Sequence, residues 1–346
     1  MLKTEYDVVI IGGGPSGATC SRILADYNID VLVIEKKRNF DESKVGAALV
    51  SPEGYQMIDT YFPELKDSVL SNVSNVYGPI IYYNNVLTIK SNDCQRCYKR
   101  QELDTQMLAN CKANVIRGAM FKKFIKESGK TIVCFDNNGV ENRIICKYLV
   151  SAEGYNSSIA RQLFPQVIER TQKVRVRQAI LYGSSIFEEG HYYMLMTSNS
   201  FMNMIVPKDG KIYLIVGNDY GKSIDDTFDE IVENIKTNYK FEGYIAETVD
   251  RDVSDLWRNS LVGNGNILLL GESGGIWGQA DGIYYGVLTA KFCAEAIIDS
   301  FENNVNDVAS VYQRLLNENR VLENIKRAHA NVVRMSKYYS NKKCNI

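Results

Sequence analysis

The chain has 346 residues, enough for two hydrophobic cores, and its formal net charge of −1 offers neither nucleic acid nor an anionic membrane a basic surface. With 23% charged residues and 22 tyrosines it has the composition of a folded protein, and its longest apolar runs fall short of the roughly 18 residues a membrane-spanning helix needs. The N-terminus enters a strand almost at once, leaving no room for a signal peptide, so the eight cysteines read as reduced thiols in the cytoplasm.

The first element is a complete βαβ unit. Val8-Val9-Ile10-Ile11 reads as a buried strand and passes into Gly12-Gly13-Gly14-Pro15-Ser16-Gly17. A helix follows with Ala18, Ile23 and Leu24 at helical spacing, and Val31-Leu32-Val33-Ile34 forms a second strand ending in Glu35. Gly12 permits the turn, Gly14 lets a pyrophosphate reach the backbone, and Gly17 lets the helix pack on the sheet. The phosphates meet a helix N-terminus, whose free N–H groups favour an anion without help from lysine. Glu35 stands where an acid accepts hydrogen bonds from ribose hydroxyls. These features together predict dinucleotide binding.

Lys36-Lys37-Arg38 comes next, facing either the adenosine end of a cofactor or solvent. The small residues Gly46, Ala47 and Ala48, within the run from Val45 to Gly54, suit a backbone passing close to a flat ring. A helix starts at Ser51-Pro52-Glu53, and Ile80 to Ile89 reads as a hairpin around Asn84-Asn85, outside the nucleotide unit. Cys94-Gln95-Arg96-Cys97 has no second ligand pair for zinc; the pair reads either as a reversible disulfide or as two thiols in a turn. Arg100 to Asp104 opens a helix through Met107 and Leu108. Strands follow at Val115-Ile116, Ala119 to Phe124 and Ile132 to Phe135, the last two joined through Gly129. Ile144 to Ala152 then delivers a buried strand into Glu153-Gly154 and a helix at Ile159 to Leu163.

From Val174 to Val216 the signals are β, crossing a turn at Pro207-Lys208-Asp209-Gly210-Lys211. Met194, Met196, Met202 and Met204 flank Ser198-Asn199-Ser200 and form either core or the lining of an apolar substrate pocket. His191, beside Tyr192 and Tyr193, reads as a pocket wall rather than a catalyst, and no side chain is assigned as general acid or base. Asp225 to Tyr239 is an amphipathic helix with Phe228, Ile231, Val232 and Ile235 on one face, and the chain returns by Leu256 and Trp257. A second strong stretch, Ile267 to Ile283, runs from an apolar strand into Gly271-Glu272 and on to a helix over Tyr284 to Ile298. Residues 306 to 340 read as a charged, amphipathic helical tail.

Over residues 4 to 300 the chain resembles the flavoprotein superfamily of aromatic hydroxylases, geranylgeranyl reductases and electron-transfer flavoprotein oxidoreductases. Four segments carry the likeness: the glycine fingerprint with Glu35, Arg100 to Asp104, Glu153 to Arg161, and Gly271 to Ile283. The resemblance implies an α/β fold, with a Rossmann-type FAD-binding domain (1–75, 98–172, 259–300), an inserted β-sheet substrate domain (76–97, 173–258) and a C-terminal helical tail (301–346). It implies FAD contacts at Gly12, Gly14, Pro15, Ser16, Gly17, Glu35, Lys36, Gly46, Ala47, Arg100, Ala119, Glu153, Gly154, Gly271, Glu272, Gly282 and Ile283. Of these, Arg100 would serve the pyrophosphate, Gly271-Glu272 the ribityl chain, and the N–H groups of Gly282 and Ile283 the pyrimidine end of the flavin. Glu153 and Glu272 stand where the family usually has aspartate, and Gly275 to Gly282 lacks the family's proline.

Within the superfamily, Val45 to Ser51 and Asp281 to Tyr285 look most like the geranylgeranyl reductase branch, which implies reduction of a double bond in an apolar substrate by hydride from reduced flavin. The alternatives are hydroxylation of an aromatic or other ring through a flavin hydroperoxide, and electron transfer to a redox partner protein. No second glycine fingerprint serves a nicotinamide cofactor, so NAD(P)H or a reduced carrier protein is expected to bind only transiently.

Overall fold

In a computed structural model, residues 3–40, 46–127, 130–197, 202–217, 223–254, 258–278 and 281–341 are described. Val45, Gly129, Ser198 to Ser200, Leu256 and Trp257, which figure in the sequence reading, lie outside these residues, as do Gln279 and Ala280; of Met202 only the backbone is described.

The strands are β1 (Glu5–Ile11), β2 (Val31–Glu35), β3 (Leu49–Val50), β4 (Leu70–Tyr83), β5 (Val86–Tyr98), β6 (Asn114–Arg117), β7 (Ala119–Glu127), β8 (Lys130–Asn137), β9 (Val140–Ser151), β10 (Lys173–Ser184), β11 (His191–Met196), β12 (Met202–Lys208), β13 (Lys211–Gly217), β14 (Glu242–Ser254), β15 (Gly263–Asn264) and β16 (Ile267–Leu269). The helices are α1 (Pro15–Asp26), α2 (Pro52–Tyr61), α3 (Arg100–Ala109), α4 (Ser158–Leu163), α5 (Pro165–Arg170), α6 (Ile224–Tyr239), α7 (Gly282–Asn303), α8 (Val308–Glu318) and α9 (Val321–Asn341).

Two sheets organise these elements. In the first, β16, β9, β1, β2 and β6 run parallel in that order, and β9 extends beyond β1 to pair antiparallel with β8, which carries β7. The β1 and β2 cores read as unbroken apolar runs because both faces are covered. Val8, Ile10 and Val33 face α1, α3 and α7, whereas Val9, Ile11 and Leu32 pack with Phe121, Phe135 and Ile159. Every parallel strand ends at the same edge, so the loops at Gly12, Lys36, Ala152 and Leu270 converge there. In open α/β sheets that carboxyl edge is where ligands sit.

The second sheet has the order β14-β10-β13-β12-β11-β4-β5-β3, with β4 and β11 parallel and its other neighbours antiparallel. One of its faces carries Ala179, Leu181, Tyr193, Leu195, Ile205, Leu214 and Val216, which alternate along their strands and pack on Phe228, Ile231, Val232 and Ile235 of α6. The hairpin around Asn84-Asn85 thus shares a sheet with the strands after residue 173. Two details differ from expectation. Strand β4 begins at Leu70, and Leu49–Val50 joins this sheet through Arg96 and Cys97.

Cys94 and Cys97 both lie on β5 rather than in a turn. Residues three apart on a strand point to opposite faces and stand about 10 Å apart, so the spacing that closes a ring in a turn prevents one here. Both are free thiols, Cys97 buried and Cys94 half-buried. The tail forms two helices, α8 and α9, and none of the described helices is long and apolar enough to cross a membrane.

Candidate functional site

Helix α1 starts at the carboxyl edge of the first sheet with Gly14 as N-cap, Pro15 in the first turn and no side chain capping it. Its leading N–H groups therefore remain available to a ligand. The approach to it is fixed by contact. Gly12 has φ +104°, and a Cβ built there would lie 2.3 Å from the Ala152 carbonyl oxygen; one on Gly17 would lie 1.9 Å from the Gly12 carbonyl oxygen. At the end of β2, Glu35 accepts from the Gly13 N–H at 2.6 Å and from the Lys37 N–H at 2.8 Å, which holds its buried carboxylate against the glycine turn. Lys36 is exposed beside it. Arg38 turns away to donate to Asn138, at 2.5 Å. Ala119 is buried at the start of β7, next to Gly118, whose N–H donates to the Lys37 carbonyl at 3.3 Å.

The other half of the edge is built by the loops after β9 and β16. Glu153 accepts from the Ser151 and Ser157 hydroxyls at 2.9 and 2.8 Å and from the Ser158 and Ile159 N–H groups at 3.0 and 3.1 Å, so its carboxylate caps α4. Gly154 stands next to it with φ +78° and donates its N–H to the Ser273 hydroxyl at 3.0 Å. Glu272 is exposed. Its two carboxylate oxygens lie 3.6 and 3.9 Å from Cβ positions built on Gly154 and Gly282, so an open acid is framed by two glycines. Gly271 donates to the Thr289 hydroxyl at 3.0 Å. Arg100 is oriented by the fully buried Asp104, with Nε 2.8 Å from the carboxylate. Arg251 on β14 is held below the usual arginine range by burial and by the charge of Arg100.

At the start of α7, Asp281 accepts from the Tyr284 N–H at 3.1 Å and from the Ser51 N–H at 3.0 Å, tying Gly282 and buried Ile283 to the segment after β3. Burial pushes the Asp281 carboxyl above the usual aspartate range. The face of the second sheet opposite α6 approaches here: Tyr192, Met204, Val206, Tyr213 and Ile215 cluster with Ala47 and Leu49. Met194 pairs with Met204 across β11 and β12, whereas Met196 is buried. The Tyr192 hydroxyl accepts from Gln95 Nε2 at 3.2 Å, and burial raises its pKa.

Asp281, Lys208, Ser273 and Thr289 also shape this region; the sequence named Asp281 only as the start of the reductase-like segment, and none of the four was given a role in the site. Asp281 had a signal, an acid directly before the glycine of a helix start. Ser273 and Thr289 act on glycine N–H groups through the fold and had none.

An uncapped twelve-residue helix at the sheet edge, an acid fixed after the second strand, an exposed glutamate between glycines and an oriented arginine match the phosphates, ribose and ribityl hydroxyls of FAD in donor and acceptor type. The FAD binding domain family matches residues 5–61 and 87–271. Protein CbrA of Escherichia coli (strain K12) is 26% identical over 307 residues, which cover 82% of this chain and 81% of that protein. A geranylgeranyl bacteriochlorophyll reductase-like protein from Thermoplasma acidophilum superposes with a TM-score of 0.75 at 17% identity, over 97% of this chain and 88% of that one. The p-nitrophenol 4-monooxygenase PnpA from Pseudomonas putida DLL-E4 does so with 0.72 at 12% identity, over 98% and 94%. The chain belongs to the FAD binding domain family, and it shares its fold with these reductase-like and monooxygenase structures.

Proposed function

We propose that the protein reduces a double bond of an apolar substrate that lies between the flavin ring of FAD and the second sheet. The observation that supports this most is the apolar face of that sheet opposite α6. Tyr192, Met204, Val206, Tyr213 and Ile215 are turned towards Ala47 and Leu49, and thioether and aromatic side chains receive an irregular apolar molecule while excluding water. Bound FAD would supply a hydride, replenished by NAD(P)H or a reduced carrier protein.

The chain's own part is binding and orientation. Gly12, Gly14, Pro15, Ser16 and Gly17 hold the pyrophosphate with Arg100, and Glu35 holds the adenosine ribose, flanked by Lys36 and Ala119. Gly271 and Glu272 hold the ribityl chain. Glu153 acts through Gly154, since four donors already occupy its carboxylate. Gly46 and Ala47 lie against the ring, and the N–H groups of Gly282 and Ile283 face its pyrimidine end. In this reading residues 1–75, 98–172 and 259–300 serve the cofactor, 76–97 and 173–258 serve the substrate, and 301–346 belong to neither, α8 packing on α7.

Hydroxylation of a ring substrate is the second reading, favoured by a likeness to the monooxygenase fold almost as close as that to the reductase-like one. Anaerobic stopped-flow separates the two. The dithionite-reduced protein is mixed with a panel of long-chain alkenes and the products are identified by mass spectrometry. Reoxidation of the flavin without oxygen, with one saturated bond formed per flavin, is the expected result; product that appears only with oxygen would replace it with the hydroxylase reading.

A further inference from the structure

Lys208 ends β12 with its side chain inside the protein, 1% exposed. Its Nζ donates to the carbonyl oxygens of Ala47 and Tyr98, each at 2.7 Å, and lies 4.7 Å from the centre of the Tyr213 ring. Among the described residues no carboxylate comes within ion-pair distance of it. A buried ammonium is costly to hold without a counter-charge, so the contacts it keeps are informative about what the fold requires of it.

Those contacts converge on a strained turn. Ala48 has φ +50°, a left-handed conformation that a side-chain-bearing residue adopts only when its surroundings enforce it. Three donors supply the enforcement. Lys208 Nζ and the Cys97 thiol, the latter at 3.7 Å, both donate to the Ala47 carbonyl, and the Tyr98 N–H donates to the Ala48 carbonyl at 3.0 Å. Tyr98 is followed by Lys99, the N-cap of the helix that begins with Arg100. One ammonium on the second sheet therefore grips the turn at Ala47 and the lead into the Arg100 helix together.

We infer that Lys208 is a positioning residue for the cofactor, clamping Gly46 to Ala48 in the left-handed turn on which the flavin ring rests. The inference relies on the proposed placement of Gly46 and Ala47 against that ring. It gives the second sheet a role in cofactor binding through the turn that Lys208 grips.

The test measures FAD binding by the apo-protein and amide exchange at residues 46 to 48, with no turnover needed. Lys208→Met should weaken FAD affinity by about tenfold or more and speed exchange of those amides, with far-UV dichroism unchanged. Lys208→Arg, which keeps charge and donors, should bind more tightly than Lys208→Met. The decisive variant adds Ala48→Gly to Lys208→Met. Glycine takes a left-handed turn without a clamp, so affinity should recover, which a general loss of packing at the seam would not allow. Lys208→Gln serves the same comparison if Lys208→Met does not fold. Native-like affinity in Lys208→Met, or no recovery in the double variant, overturns the role of Lys208. FAD that leaves residues 46 to 48 of the native protein unprotected overturns instead the placement of the ring.

Discussion

At Gly17 a single methyl group would meet the Gly12 carbonyl oxygen at 1.9 Å, a backbone atom that has no rotamer with which to retreat. Gly17→Ala should push α1 off the turn, cost about 1–3 kcal/mol, and leave a protein that elutes from gel filtration without flavin absorbance. Gly14→Val, which places a branched side chain at the uncapped helix start, should likewise lose the cofactor. Glu35→Gln keeps the shape but replaces one acceptor oxygen with a donor, while both the Gly13 and Lys37 N–H groups need acceptors. Its expected cost is about 1–3 kcal/mol, read as a lower denaturant midpoint together with weaker FAD binding. These residues were legible in the sequence because the glycine turn, the helix and the acid fall within one short βαβ segment, so spacing alone implies their meeting. Lys208 was read only as part of a turn, because its partners Ala47 and Tyr98 lie 161 and 110 residues away in sequence.

Among the elements, α9 reaches back over the loop before α7. His329 is buried, with Nε2 3.2 Å from the Trp277 carbonyl and its ring edge-on to the Trp277 indole at 4.9 Å. Burial holds its pKa below the usual 6.5, outweighing the upward pull of the Trp277 carbonyl. The folded state thus binds this proton less readily than the unfolded chain. The contribution is full above pH 6.5 and is lost as pH falls through the folded value. Thermal midpoints measured from pH 7 down to about 5 should fall more steeply for the native protein than for His329→Gln. At α6, Ile231→Ala empties a fully buried site under the second sheet and should cost about 2–5 kcal/mol in chemical denaturation. Helix α6 was readable from its apolar face to within one residue of its start. The short strand β3 was not, because two residues carry no periodicity and pair only once β5 is in place. The sequence also left open which faces Cys94 and Cys97 occupy, since that depends on their lying on a strand.

For the whole molecule, the two sheets meet where the turn at Ala47, the start of α7 and the face of the second sheet opposite α6 come together. A ligand seated there binds only the folded chain, and FAD at 100 times its dissociation constant should stabilise it by about 2.7 kcal/mol, seen as a concentration-dependent rise in the thermal midpoint. The order of the strands along the chain also carries a consequence in time. The glycine turn and Glu35 leave the ribosome before the second sheet, whereas Gly271, Glu272 and Gly282 emerge only after every strand from β10 to β14. In the placement proposed for FAD, a growing chain can offer the adenosine half of its groove early, but the ribityl half only after the whole second sheet has been synthesised. In that placement, FAD that needs both halves of the groove is held only once the second sheet and the start of α7 are in place.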